Sequence, residues 1–165
     1  MTQTLIQYIK DGNINDVIRL INEGEDINAV NYNGFTPLHI AAENGNTEII
    51  KVLVDGGANL DTPDIYNGFT PLYNATLEGH TEVISQLVEY GAIVNVTNFY
   101  HETPLWVAAH KGYVEVVRLL AQLGASVDTP NTTGKTPAYV AARNGHLEVV
   151  RLLAELEANI ETPTN

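Results

Sequence analysis

Apolar residues recur along this chain at helical spacing in short segments, and glycine-bearing polar turns separate those segments at a nearly constant interval. In Leu38-His39-Ile40-Ala41-Ala42, the residues Leu38, Ala41 and Ala42 fall at i, i+3 and i+4, which predicts a short helix with one apolar face. Gly45 ends it. The next segment, Glu48-Ile49-Ile50-Lys51-Val52-Leu53-Val54-Asp55, is apolar almost all round, so its helix is expected to lie between neighbours. Gly56-Gly57 close that helix by allowing positive φ, and the chain then extends towards the next turn. The unit opens with Thr36-Pro37-Leu38-His39 and returns as Thr70-Pro71-Leu72-Tyr73 after 34 residues, Thr103-Pro104-Leu105-Trp106 after 33 more and Thr136-Pro137-Ala138-Tyr139 after another 33. Each threonine is suited to cap the exposed amides of a helix, and proline in a first turn forfeits no hydrogen bond.

A Thr-Pro-Leu-His-x-Ala core at period 33 resembles the ankyrin repeat, and the resemblance covers nearly the whole chain. It implies an all-α solenoid of stacked helix-turn-helix repeats with projecting β-hairpin fingers. Residues 1–30 read as an N-terminal capping helix pair, with helices near 4–11 and 14–22, and 31–63, 64–97, 98–130 and 131–163 as successive repeats of a single domain. Gly12 aligns with Gly45, Gly79, Gly112 and Gly145, so the cap has kept its helices and lost its finger. The second finger carries one extra residue within 61–68, which explains the 34-residue interval. In the third, His101 replaces the turn glycine, which predicts a finger that bends differently or is held less rigidly. From Ala158 the sequence repeats the finger opening at Ala125, so further repeats or another domain are expected beyond residue 165. An uncapped last repeat would let an otherwise monomeric protein stack end to end.

Composition narrows the class of partner. The net charge of −12 and pI near 4.6, with 8 basic residues, oppose binding to nucleic acid. The charge is uneven: residues 1–100 hold 13 acids against Lys10, Arg19 and Lys51, a balance of −10. No apolar run approaches the length of a membrane span, and the start lacks a secretory pattern. With no cysteine and with a glycosylation sequon at Asn74 inside a packing helix, the protein is expected to work in the cytoplasm, with the nucleus or a host cytosol as alternatives.

No phosphate loop, catalytic carboxylate pair or metal-ligand cluster is apparent, so neither enzyme activity nor a cofactor is expected. His39 fills the repeat's own Thr-Pro-Leu-His slot, and His80 and His146 share the slot after a helix-ending glycine; all three read as structural. His101 and His110 lack a third ligand to make a metal site.

In the family, partners mostly contact finger tips and the exposed ends of first helices. The matching positions are Tyr32, Asn33, Phe35, Glu43 and Asn44; Tyr66, Asn67, Phe69, Leu77 and Glu78; Phe99, Tyr100, Glu102, His110 and Lys111; and Thr132, Thr133, Lys135, Arg143 and Asn144. Trp106 is large enough to leave part of its ring in the groove. Six of these residues, Tyr32, Phe35, Tyr66, Phe69, Phe99 and Tyr100, form an expected aromatic stripe, although a turn does not require rings. The passage from Glu43 and Glu78 to Lys111, Lys135 and Arg143 suits a peptide that is basic at one end and acidic at the other. The expected function is a non-catalytic module that binds a protein or peptide on this concave face. The alternative is the targeting arm of a larger multidomain enzyme or secreted effector.

Overall fold

A computed structural model describes residues 2–156, with side chains from Thr4 onward. The segment expected to open a further finger at Ala158 lies outside them. The described residues contain ten helices, and the chain divides after Ala92 into two compact units.

The first unit contains α1 (Thr2–Lys10), α2 (Ile14–Asn22), α3 (Pro37–Glu43), α4 (Thr47–Asp55), α5 (Pro71–Glu78) and α6 (Thr81–Glu89). First helices pack on first helices, α1 on α3 and α3 on α5, while α2, α4 and α6 form a second layer. Leu5, Ile9, Val17, Leu38, Ile49, Leu53, Leu72 and Leu87 are fully buried between the layers. The second unit repeats this arrangement with α7 (Pro104–Lys111), α8 (Val114–Gln122), α9 (Pro137–Arg143) and α10 (Leu147–Glu155), around Leu105, Val117, Leu120, Val149 and Leu153.

The Thr-Pro openings act as the pattern predicts. Thr36, Thr70, Thr103 and Thr136 stand at extended backbone before their helices, and each hydroxyl accepts the amide three residues on, with proline in the first turn. Alanines at 41, 42, 108, 109 and 141 are all wholly buried on the packed faces.

The fingers differ from expectation. No strand occurs among the described residues, and each finger is a tight turn: the amides of Asn31, Asp64, Asn98 and Asn131 donate to the carbonyls of Phe35, Phe69, Glu102 and Lys135, and in the first, third and fourth turns the amides of Gly34, His101 and Gly134 donate back to the Asn31, Asn98 and Asn131 carbonyls. These bonds all fall within the turn and none continues along the arms as a ladder, so the hairpin is reduced to its turn. The extra residue of the second finger lies inside the turn, whose closing bond spans 64–69 where its counterparts span four residues.

His101 also departs from its prediction. Its φ of 61° is close to the 75–79° of Gly34, Gly68 and Gly134, so the third turn keeps the common conformation despite a side chain. The left-handed region is costly for such a residue, and here the imidazole Nδ1 donates to the Pro130 carbonyl at 3.2 Å, tying it to the next turn.

Candidate functional site

Each turn is organised by one side chain that sequence reasoning passed over. The Asn31 carboxamide oxygen accepts from the amides of Asn33 and Phe35, and Asn98 and Asn131 do the same for Tyr100 and Glu102, and for Thr133 and Lys135. Asp64 takes this role in the longer turn; the residue is 1% exposed, and its carboxylate accepts from Tyr66, Asn67 and Phe69 at 2.7–2.9 Å. An Asx residue a few positions before each turn glycine was the available signal. With the turn backbone satisfied in this way, Tyr32 and Tyr66 are not needed to close their turns.

Neighbouring turns are then clamped together. His39 is buried; its Nδ1 accepts from the Thr36 amide at 3.0 Å and its Nε2–H donates to the Phe69 carbonyl at 2.9 Å. The imidazole is thus neutral with the proton on Nε2, and burial, opposed by the carbonyl bond, pushes its pKa below the usual value. In the second unit Trp106 supplies only the outer half of this clamp, its indole Nε1–H donating to the Lys135 carbonyl at 2.7 Å. The residue is only 7% exposed and stacks on His110, with centroids 5.5 Å apart, so little of the indole is left to face a groove. A second clamp joins helix ends, where His80 donates to the Glu43 carbonyl and His146 to that of His110. Asn144 also bonds His110, through the carbonyl and Nδ1.

In the first unit the expected contact residues separate into two groups. Tyr32 and Tyr66 stand out from adjacent turns, 92% and 64% exposed. Phe35 and Phe69 are half-buried, stacked on His39 and Tyr73 at centroid separations of 5.3 and 4.3 Å. With Glu43, Asn74, Leu77 and Glu78 they line a hollow of about 140 Å³. Asn33 is exposed, and its carbonyl accepts from the Ile65 amide, one more link between turns. Asn67 is partly exposed, and Asn44 follows α3 as its C-terminal cap. A larger, more polar hollow of about 380 Å³ lies between α4 and α6, lined by Thr47, Glu48, Lys51, Glu82, Ser85, Gln86 and Glu89.

In the second unit Phe99 and Tyr100 are exposed, as are His110, Lys111 and Arg143. Lys135 and Glu102 are half-buried, the latter holding Asn98 and Asn131 through its carboxylate. Among the described residues no group of three or more His, Asp or Glu could hold a metal ion, and no helix is long and apolar enough to cross a membrane.

Paired short helices, repeated in register and clamped turn to turn, define a helical repeat protein whose variable residues lie at turn tips and first-helix ends. The profile of the family described as ankyrin repeats (3 copies) matches residues 5–98 and 93–164, and the chain belongs to that family. Ankyrin repeats are in general protein-protein interaction modules without catalysis of their own. Similar proteins include the fowlpox virus (strain NVSL) putative ankyrin repeat protein FPV014, 43% identical over 58 residues, which are 34% of this chain and 13% of that protein. The human mitochondrial disaggregase is 37% identical over 60 residues, 36% of this chain and 8% of its own. An ankyrin repeat-containing protein of Schizosaccharomyces pombe is 33% identical over 54 residues, 33% of this chain and 26% of its own. The matched stretches thus span about a quarter or less of these relatives' lengths.

Proposed function

We propose that the protein is a non-catalytic interaction module that takes a protein or peptide segment on the face formed by its turns and the ends of its first helices. The observation that carries this reading is the exposure of Tyr32 and Tyr66 on adjacent turns of one unit. The turns are closed by Asx side chains and glycines, so neither ring is required to close its turn. A large exposed apolar surface marks an interaction site, and tyrosine is enriched among residues that dominate binding energy. Phe99 and Tyr100 hold the corresponding positions of the second unit. A second reading, the recruiting arm of a longer protein, draws support from relatives in which the similar stretch is a small part of the chain.

The test is capture from native lysate by the wild type, by a Tyr32→Ala/Tyr66→Ala variant and by a Phe99→Ala/Tyr100→Ala variant with unchanged melting temperatures. Loss of a partner from either variant, at about 2 kcal/mol per dominant ring, is the expected result. Capture of the same partners at equal strength by all three would overturn the reading.

A further inference from the structure

The hollow in the first unit contains a residue out of keeping with its fold position. The fourth residue of each first helix is Ile40 in α3, Val107 in α7 and Val140 in α9, all buried aliphatics. In α5 it is Asn74, 5% exposed, and its carboxamide makes no hydrogen bond with any described residue. Neither polar atom of this carboxamide is enclosed, unlike Gln86 Oε1, which is buried without a partner, so the amide meets solvent through a narrow opening where other copies place an aliphatic side chain. Asn74 lines the hollow, so a partner group can reach it from there.

The rim is equally anomalous. Glu43 and Glu78 are the last residues of α3 and α5, where the carbonyl ends of the helices already carry partial negative charge. The second unit places Lys111 and Arg143 at these positions, the sign that a helix end favours. Ion pairs among the described residues join Arg19 to Asp16 and Glu23, Arg118 to Glu115 and Arg151 to Glu148, so none neutralises Glu43 or Glu78. Two uncompensated carboxylates at two negative helix ends, above an unpaired amide, form a site complementary to a cation that donates hydrogen bonds.

We propose that this hollow receives an arginine side chain of a partner protein: Phe35, Phe69 and Leu77 cover its aliphatic stem, Asn74 Oδ1 accepts from the guanidinium, and Glu43 and Glu78 balance its charge. At about 140 Å³ the space suits one side chain; drug-sized ligands occupy roughly 300–1,000 Å³. Arginine fits better than lysine because its planar fork presents five donors to separated acceptors and lies well against aromatic rings. Stacking on His39 and Tyr73 holds both phenylalanines in place before the ligand arrives. The surplus of 13 acids over three bases in residues 1–100 steers cationic segments towards this unit. The inference rests on the interaction-module reading and specifies what one subsite recognises.

The probes are N-acetyl-arginine methylamide and its citrulline and lysine analogues, titrated into the isotope-labelled full chain and followed through the Asn74 side-chain amide and Leu77 methyl resonances. Saturable shifts with the arginine probe are expected, with binding about tenfold weaker for citrulline, which lacks the charge. Asn74→Val, which installs the residue that Val107 and Val140 supply in other copies, is expected to melt at or above the wild-type temperature while binding the arginine probe about tenfold more weakly. Glu78→Gln provides a second variant that preserves shape and is expected to weaken binding as well. Equal response to arginine and citrulline, or unchanged affinity in Asn74→Val, would overturn the proposal. If the probe fails while tyrosine variants still lose their partner, the pocket falls and the face stands; the reverse pattern removes the face and keeps the pocket.

Discussion

Acidification is expected to weaken the turn clamp at His39 in a way that can be separated from every other histidine. The imidazole is wholly buried, its Nδ1 lone pair is taken by the Thr36 amide and hydroxyl, and its Nε2–H holds the Phe69 carbonyl. Protonating Nδ1 would set two donors against each other in a buried site, and burial lowers the pKa. Above about pH 6.5 both folded and unfolded chains hold the ring neutral. As pH falls below that value, the unfolded chain binds a proton that the folded one refuses, so stability drops, by up to about 1.4 kcal/mol per pH unit, until the folded site titrates too. Between about pH 6.5 and 5 the loss from this residue is at most about 2 kcal/mol. The comparison variant is His39→Tyr, because Tyr73 and Tyr139 fill this slot in other copies, and Phe69 already stacks on Tyr73 as Phe35 does on His39. Urea unfolding of both proteins by circular dichroism at about pH 7.5 and 5 cancels the other histidines, which the two proteins share. The wild type is expected to lose more stability than the variant on acidification. Equal losses would show that the buried ring does not resist protonation, and the reasoning would fail.

Two further predictions concern the turns. Asp64→Ala leaves the amides of Tyr66, Asn67 and Phe69 without their acceptor, and is expected to cost about 2–4 kcal/mol in urea unfolding, whereas Asp64→Asn costs less because Asn31 serves the same turn. Trp106→Phe removes the donor to the Lys135 carbonyl and is expected to cost about 1–3 kcal/mol. Trp106→His should recover part of that loss, since His39 makes the same bond to Phe69; no difference between the two variants would show that the indole only fills space.

Helix positions and openings were legible in the sequence because they depend on local spacing: Thr-Pro marks a capped start, and the following residues at i, i+3 and i+4 mark the packed face. Several candidate site residues were legible for the same reason, since a fixed period places Tyr32 and Tyr66 at equivalent turn tips. The role of Trp106 was not: its partner Lys135 lies 29 residues away, and a ring substituted for histidine suggests packing rather than a donor. His101 was misread because the bond that holds its turn comes from Pro130 in the next finger.

Length of period, helix boundaries and the charge surplus of the first hundred residues were therefore determined by sequence alone, each being a property of neighbours along the chain. The division after Ala92, the reduction of fingers to turns without strands and the clamps by His39 and Trp106 were decided only by tertiary structure. So was the condition of Asn74, for the sequence shows an asparagine where other copies have an aliphatic residue, but only packing reveals that it is nearly buried with its amide open to a hollow. A hydrogen bond's partner is chosen by proximity in space, and in a stacked repeat that partner lies one period away.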